Sequence, residues 1–343
     1  MSWTSPGPSK LRSVILLTQQ SGLPDVNSFP DYADILAAHQ TPDTLVAKGK
    51  GLPLLFEPGT KFLHEEHSAY NLLALIVEEK TGLDFRHAMR QLVFEPARMM
   101  NSGLDDDSVV RGKIARGYEP ESVSGLTPAM QIHWSAKSGN ASVYTTIADE
   151  ERFVQRLFHG KLLSDASLKV VLETSPRVGY GWFRGTSQRF KQIAYYMNGR
   201  APGYASFVLY LPEQELTVVV LSNIYSSATT SIGNDIAAIS LGLPYVPFRP
   251  MSSIPNATLL ESGTGNFQFE SDFYRPGAVL TLANCHGELT LRWPDGSLSP
   301  LILIDRDHFI DRSYWENVTD RARWQRASKS SEVWGIPGDG CQE

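Results

Sequence analysis

Acyl transfer by an activated serine needs a hydroxyl within reach of a base, and Ser-x-x-Lys at a helix start meets that need by placing both on one helical face. No Ser-x-x-Lys occurs in the 343 residues of this chain. Gly-x-Ser-x-Gly, which would raise a serine on a strand-to-helix elbow, is absent as well. The densest group of titratable side chains is Glu65-Glu66-His67, followed by Ser68. A carboxylate and an imidazole side by side tune one another's pKa and can act as an acid/base pair, although a charged, solvated loop has the same composition. Ser68 adjoins His67, but neighbours on a helix point apart and no third group is placed to orient them. Ser68 is therefore read as the N-cap of a helix that runs through Tyr70. The histidines show no His-x-x-x-His or His-Glu-x-x-His spacing, and Cys285 and Cys341 are the only cysteines, so neither a metal site nor a cofactor is expected.

The elements that must position such groups follow from periodicity. Apolar residues at helical spacing predict helices over 70–81, 85–92, 148–158 and 167–172, and a closing helix over 231–241. Residues 191–197, 205–211 and 216–221 read as consecutive strands, with Pro212-Glu213-Gln214-Glu215 turning between the last two. Four prolines then fall between Pro244 and Pro255, where neither helix nor sheet is expected. Beyond them, short strands near 265, 278, 288, 301 and 308 recur with turn signals, as in a small antiparallel barrel or sandwich. Phe273, Tyr274, Trp293, Phe309, Tyr314 and Trp315 would fill its core or line a cavity. The expected division is residues 1–245, a linker at 246–255, and an all-β domain at 256–335.

An ordered set of landmarks places the first of these domains. Leu16-Leu17-Thr18-Gln19-Gln20-Ser21-Gly22-Leu23-Pro24 comes first, followed by Pro58-Gly59-Thr60-Lys61-Phe62 and by Tyr70 to Glu78 with Thr81-Gly82. Next come Val93-Phe94-Glu95-Pro96 to Gly103, Gly139 to Asp149, and Gly179-Tyr180-Gly181-Trp182. Gly199 to Tyr204, leading to Val218 to Asn223, closes the set. In this order the landmarks resemble the serine β-lactamase-related family, which includes class C β-lactamases, penicillin-binding D-Ala-D-Ala carboxypeptidases and esterases. The resemblance implies an α+β fold, an antiparallel sheet flanked by helices. It also suggests a lipocalin-like barrel for the C-terminal domain, and an extracytoplasmic location.

Family resemblance does not transfer activity, because the chemistry belongs to the site. In the family, Ser-x-x-Lys lies upstream of the Ser-Gly-Leu turn. Here Met1 to Lys10 precede that region, and two prolines and a glycine make them a poor helix. The expectation is a chain that lacks the nucleophile segment. Where the resemblance puts Tyr-x-Asn stands Glu65-Glu66-His67, counting back from Tyr70, or His64-Glu65-Glu66, counting forward from Phe62, and Met197-Asn198-Gly199 stands where it puts Lys-Thr-Gly or His-x-Gly. Met197 neither carries charge nor donates a strong hydrogen bond. A literal Lys80-Thr81-Gly82 reads as ordinary helix termination.

No residue is therefore assigned a catalytic role, and Glu65, Glu66, His67, Met197, Asn198 and Gly199 are expected to line a remnant pocket. A net charge of −6 argues against nucleic acid as a partner. No stretch is apolar for long enough to span a membrane, and no signal peptide is evident. A small molecule or peptide is the expected ligand, with self-association through an exposed sheet edge. The reading is thus a family member inactive as it stands, with two alternatives: a pseudoenzyme that binds a ligand or partner, and a fragment of an active hydrolase.

Overall fold

A computed structural model describes residues 12–63, 67–104, 114–173, 179–250, 265–268, 279–285, 288–293, 297–305, 308–315, 317–319 and 325–326. Met1 to Lys10, Glu65, Glu66, Phe273 and Tyr274 lie outside them. The helices are α1 (Ser13–Leu17), α2 (Tyr32–Ala37), α3 (Pro42–Gly49), α4 (His67–Thr81), α5 (Phe85–Met89), α6 (Glu95–Ala97), α7 (Ile147–Phe158), α8 (Asp165–Glu173) and α9 (Ala228–Ser240). The helix expected over 85–92 is α5 continued by a wider π turn, Arg90–Phe94, and then by α6.

Local chemistry sets several helix ends. Thr41 and Thr44 form a reciprocal capping box at α3, with Pro42 at the first helical position. Thr146 caps α7 by accepting from the Asp149 amide. Gly82, at φ +69°, ends α4, and its N–H donates to the Glu78 carbonyl. Lys80-Thr81-Gly82 is thus a helix terminus. Ser68 departs from its expected role: it lies inside the first turn of α4, buried, and its Oγ accepts from the Val26 amide at 2.9 Å. A long-range donor has taken the hydroxyl that would otherwise cap the helix locally.

Two short antiparallel pairs, β1 (Gly103–Leu104) with β4 (Val143–Tyr144) and β2 (Tyr118–Pro120) with β3 (Leu126–Pro128), flank the main sheet. That sheet is antiparallel in the order β5 (Phe183–Ser187), β6 (Gln192–Ala201), β7 (Tyr204–Leu211), β8 (Leu216–Ser222). The two-residue alternation of β7 builds a core on each face. Phe207, Leu209 and Leu211 pack with Val218, Ala237 and Ala238 beneath α9. Val208 and Tyr210 pack with Val154, Leu157, Leu172 and Trp182 against α7 and α8. A third cluster, Val26, Ile35, Leu36, Leu45, Ile132 and Ala136, joins α2 and α3 to the 3-10 turn Trp134–Lys137.

The C-terminal strands are β9 (Gly265–Gln268), β10 (Val279–Cys285), β11 (Glu288–Arg292), β12 (Leu298–Asp305), β13 (His308–Asp311), β14 (Asn317–Thr319) and β15 (Gln325–Arg326). They pair antiparallel in the order β14-β13-β12-β11-β10-β9-β15. A barrel requires its first and last strands to bond to one another. Among the described residues β14 and β15 do not, so the strands form an open order and the expected closure is not found. Trp293 and Phe309 pack on Leu280, Leu289, Leu291 and Leu301, which is the core-filling role. This sheet rests on the first: Arg312 donates to the Ser122 and Gly125 carbonyls, Glu288 accepts from the Val123 amide, and Ser226 donates to the Arg312 carbonyl. Residues 243–250, which follow α9, carry neither helix nor strand.

Close packing of α9 on the sheet depends on Gly233, where a Cβ would collide with the Phe207 ring. Gly233→Val should therefore cost about 1–3 kcal/mol or more through overpacking. Urea unfolding measures this, and a wild-type midpoint would mean that the helix shifts at no cost.

Candidate functional site

The polar groups best placed for chemistry converge from three segments far apart in sequence. The 3-10 turn Val26–Ser28 follows Asp25, whose carboxylate accepts from the Asn27 amide. Tyr32 opens α2, His67 opens α4, and Lys137 ends the turn that begins at Trp134. Packing of Ala136 against Val26, Ile35 and Leu45 carries Lys137 into the interior, where it is 5 % exposed. There its ammonium donates to the Tyr32 hydroxyl, and to Asn27 Oδ1 at 3.3 Å.

Burial pulls the Lys137 pKa down to about 8, opposed in part by the Asp25 carboxylate. Burial also raises the Tyr32 phenol, with the Asp25 charge and Tyr225 adding to the shift. The phenol stays protonated while the lysine comes within reach of its neutral form. His67 closes the outer end of the group, with Nδ1 3.1 Å from Asp25 Oδ1 and 3.1 Å from Asn27 Nδ2. An Nδ1 that carries the proton donates to Asp25, and one that does not accepts from Asn27, so the imidazole's tautomer selects its partner.

Of the residues singled out in the sequence, His67 lies in this group, while Asp25, Asn27, Tyr32 and Lys137 were not among them. The only local signal was a lysine within an otherwise small and polar run, Ser135 to Ser142. One serine–histidine bond forms elsewhere: Ser135 Oγ lies 2.8 Å from His133 Nδ1 and accepts from the Gln40 amide at 2.9 Å. Ser135 is buried and holds the bend between α2 and α3. The amide oxygen of Asn71, both amide atoms of Asn140 and the Ser142 hydroxyl are buried and have no hydrogen-bond partner among the described residues. They lie beside the same turn, which Asn71 grips by donating to the Ser138 carbonyl at 2.6 Å.

Met197, Asn198 and Gly199 lie on β6 where it outruns β5. Phe183 pairs with Tyr196, and from Met197 to Ala201 the ladder partner among the described residues is β7. No strand among the described residues pairs with the backbone edge on the other side there, and Asn198 and Gly199 are exposed. His67 turns to Asp25 and Asn27, so it is not bonded to this strand. Tyr225 couples electrostatically to Tyr32, and the Arg200 guanidinium stacks 4.7 Å from the Tyr225 ring and 3.9 Å from that of Tyr314. A cavity of about 290 Å³, lined by Arg116, Gln131, Trp134 and Tyr204 among others, lies between the Trp134 turn and the β6–β7 turn.

Residues 4–242 match the Beta-lactamase family. The chain belongs to it. It is 27% identical over 218 residues to a D-aminopeptidase from Gluconobacter oxydans (strain 621H), across 62% of this chain and 41% of that protein. The chain spans about half the length of the curated relatives it matches, 41% of that one and 57% of Penicillin-binding protein 4* from Bacillus subtilis (strain 168). In fold it is similar to a penicillin-binding protein from Bacillus halodurans, with a TM-score of 0.58 and 23% identity over 68% of this chain and 76% of that one. It is also similar to the octameric penicillin-binding protein homologue from Pyrococcus abyssi, with a TM-score of 0.58 and 19% identity over 87% of this chain and 70% of that one.

The Lys137 pKa gives a pH test. Because the folded value lies below that of an exposed lysine, the unfolded chain binds more protons between about pH 8 and 10.5, and stability should rise with pH across that window. Below it the cost of burying the charge is fully present. Lys137→Met removes the titration, so the stability difference between variant and wild type should drift by on the order of 3 kcal/mol from pH 7 to pH 10. A pH-independent difference would mean that Lys137 keeps its solvent pKa.

Proposed function

We propose that these residues form a ligand-binding member of the beta-lactamase family that does not itself form an acyl-enzyme. Its cleft runs between the Asp25–Asn27–Tyr32–His67–Lys137 cluster and the Met197–Asn198–Gly199 strand. The observation that carries this reading is the bonding of Lys137. A serine nucleophile needs a base on its hydroxyl, and the buried lysine is spent on Tyr32 and Asn27. The open backbone edge at Met197 to Ala201 suits an extended peptide-like ligand, which would add to it as a strand does. The D-aminopeptidase relative points to D-amino-acid amides and short D-peptides as the first ligands to try.

A second reading treats the same cleft as part of a larger active hydrolase. It is favoured by the Asn71 amide oxygen, the Asn140 amide and the Ser142 hydroxyl, which have no partner among the described residues, since buried polar groups in a finished site normally have partners. The octameric homologue supports self-assembly of this chain as well.

A chromogenic cephalosporin, a nitrophenyl ester and D-phenylalanine amide should all be hydrolysed at background rates. Turnover abolished by replacing any single serine would overturn the proposal in favour of the second reading. Calorimetric titration with D-phenylalanine amide or D-Ala-D-Ala should show binding, weakened about tenfold by Tyr32→Phe through the loss of a hydrogen bond worth about 1.4 kcal/mol.

A further inference from the structure

The cavity between the Trp134 turn and the β6–β7 turn takes its walls from the two stretches that flank the β2–β3 hairpin, 114–117 and 129–132, together with Trp134, Pro202 and Tyr204. Its foot is a close backbone contact. A Cβ on Gly203, which sits at φ +83°, would stand 2.8 Å from the Gly117 Cα and 2.6 Å from the Ala129 Cβ. The Tyr118 amide donates to the Gly203 and Asn223 carbonyls at 3.3 and 3.0 Å, and the Ala129 amide donates to the Gly117 carbonyl at 3.0 Å. At the hairpin turn, Arg312 and Glu288 hold Ser122, Val123 and Gly125. Both ends of this wall are thus tied by described residues.

The hydrogen-bonding groups around the cavity are unequally used. The Ala115, Arg116 and Gly117 carbonyls already accept, from the Tyr204 hydroxyl, the Asn223 side-chain amide and the Ala129 amide. Two donors are left. Among the described residues neither the Arg116 guanidinium nor the Trp134 indole N–H has an acceptor, and their contacts are with rings instead: Arg116 lies 6.0 Å from the Tyr118 ring, and Trp134 meets Tyr204 edge to face at 5.7 Å. No aspartate or glutamate lines the cavity, although the chain as a whole carries a net charge of −6. A concavity with free donors, one cation and occupied acceptors favours an anion that only accepts.

We propose that this cavity binds a small aryl carboxylate, its ring resting on Ile132, Pro202 and Tyr204 and its carboxylate accepting from Arg116 and from the Trp134 N–H. The site is separate from the cleft above, since neither the Lys137 cluster nor Met197 to Gly199 lines it. Its volume of about 290 Å³ is at the lower limit of the ~300–1,000 Å³ usual for drug-sized ligands, which suits one ring with a short side chain. A neutral amide of the same shape would bring N–H groups to carbonyls already engaged, and an ammonium would face Arg116.

Calorimetric titration of the full chain with phenylacetate, phenylacetamide and phenethylamine tests this, because the three share a ring and differ in the head group. Phenylacetate should bind with a dissociation constant of ~0.1–5 mM, the amide about tenfold or more weaker, and the amine without measurable heat. Arg116→Gln should bring the acid down to the affinity of the amide. Trp134→Phe, which keeps a ring and removes the N–H, should weaken phenylacetate by about fivefold with the far-ultraviolet dichroism unchanged. Arg249→Gln loses the same charge outside the lining and should leave binding as it is. No binding of phenylacetate at ~20 mM, equal binding of acid and amide, or a preference for the acid that survives Arg116→Gln each overturns the proposal.

Discussion

A lysine ammonium taken out of water must find oxygen partners, and Lys137 finds them on segments more than a hundred residues away in sequence. Much of the helical half follows from that requirement. Asn27 and Tyr32 must stand where the ammonium can reach them, which fixes the 3-10 turn at Val26–Ser28 and the start of α2. Val26 in turn donates to Ser68, and Asp25 receives His67, so the first turn of α4 is tied to the same place. Hydrophobic contact between Val26, Ile35, Leu45 and Ala136 makes this junction dense. The polar bonds decide its register. A buried cation held this way adds little net stability compared with an apolar side chain of the same size.

The second junction uses cation and aromatic in place of cation and oxygen. Arg200, one residue beyond the Met197–Asn198–Gly199 stretch, lies between the rings of Tyr225 and Tyr314 and donates to the Ser313 carbonyl. Asp311, buried in the C-terminal sheet, accepts from Ser299 and from the amides of Ser313 and Tyr314, which holds that loop in the shape Arg200 requires. Burial raises the Asp311 carboxyl, and these bonds together with the Arg200 charge act to lower it. Arg200 is therefore held by residues from both halves of the chain.

The regular elements were legible in the sequence because their causes are local. The 3.6-residue spacing of α4 and α7, the alternation of β7, and the Gly82 terminus of α4 each lie within a dozen residues or so. The lysine cluster was not legible, since no window contains both Tyr32 and Lys137, and only folding brings a half-buried tyrosine to an otherwise ordinary lysine. Ser68 was misread for the same reason: a serine at a helix start is a cap unless a distant amide claims its hydroxyl, as Val26 does. Closure of the C-terminal strands, which is not found among the described residues, could not be read locally either, for strand count is local and closure is a pairing between the two ends of the order.

Shared ancestry with serine hydrolases fixes the scaffold of this chain and leaves its chemistry to the groups that line the cleft. A base serves a nucleophile only when it faces one. Lys137, with its pKa pulled down to about 8, has the proton affinity of a general base at neutral pH, yet its bonds go to an amide oxygen and to a phenol that burial keeps protonated. A phenol so placed donates readily and ionises poorly. It suits the recognition of a carbonyl or carboxylate more than attack on one. Burial thus acts on both members of the pair, lowering the lysine and raising the phenol.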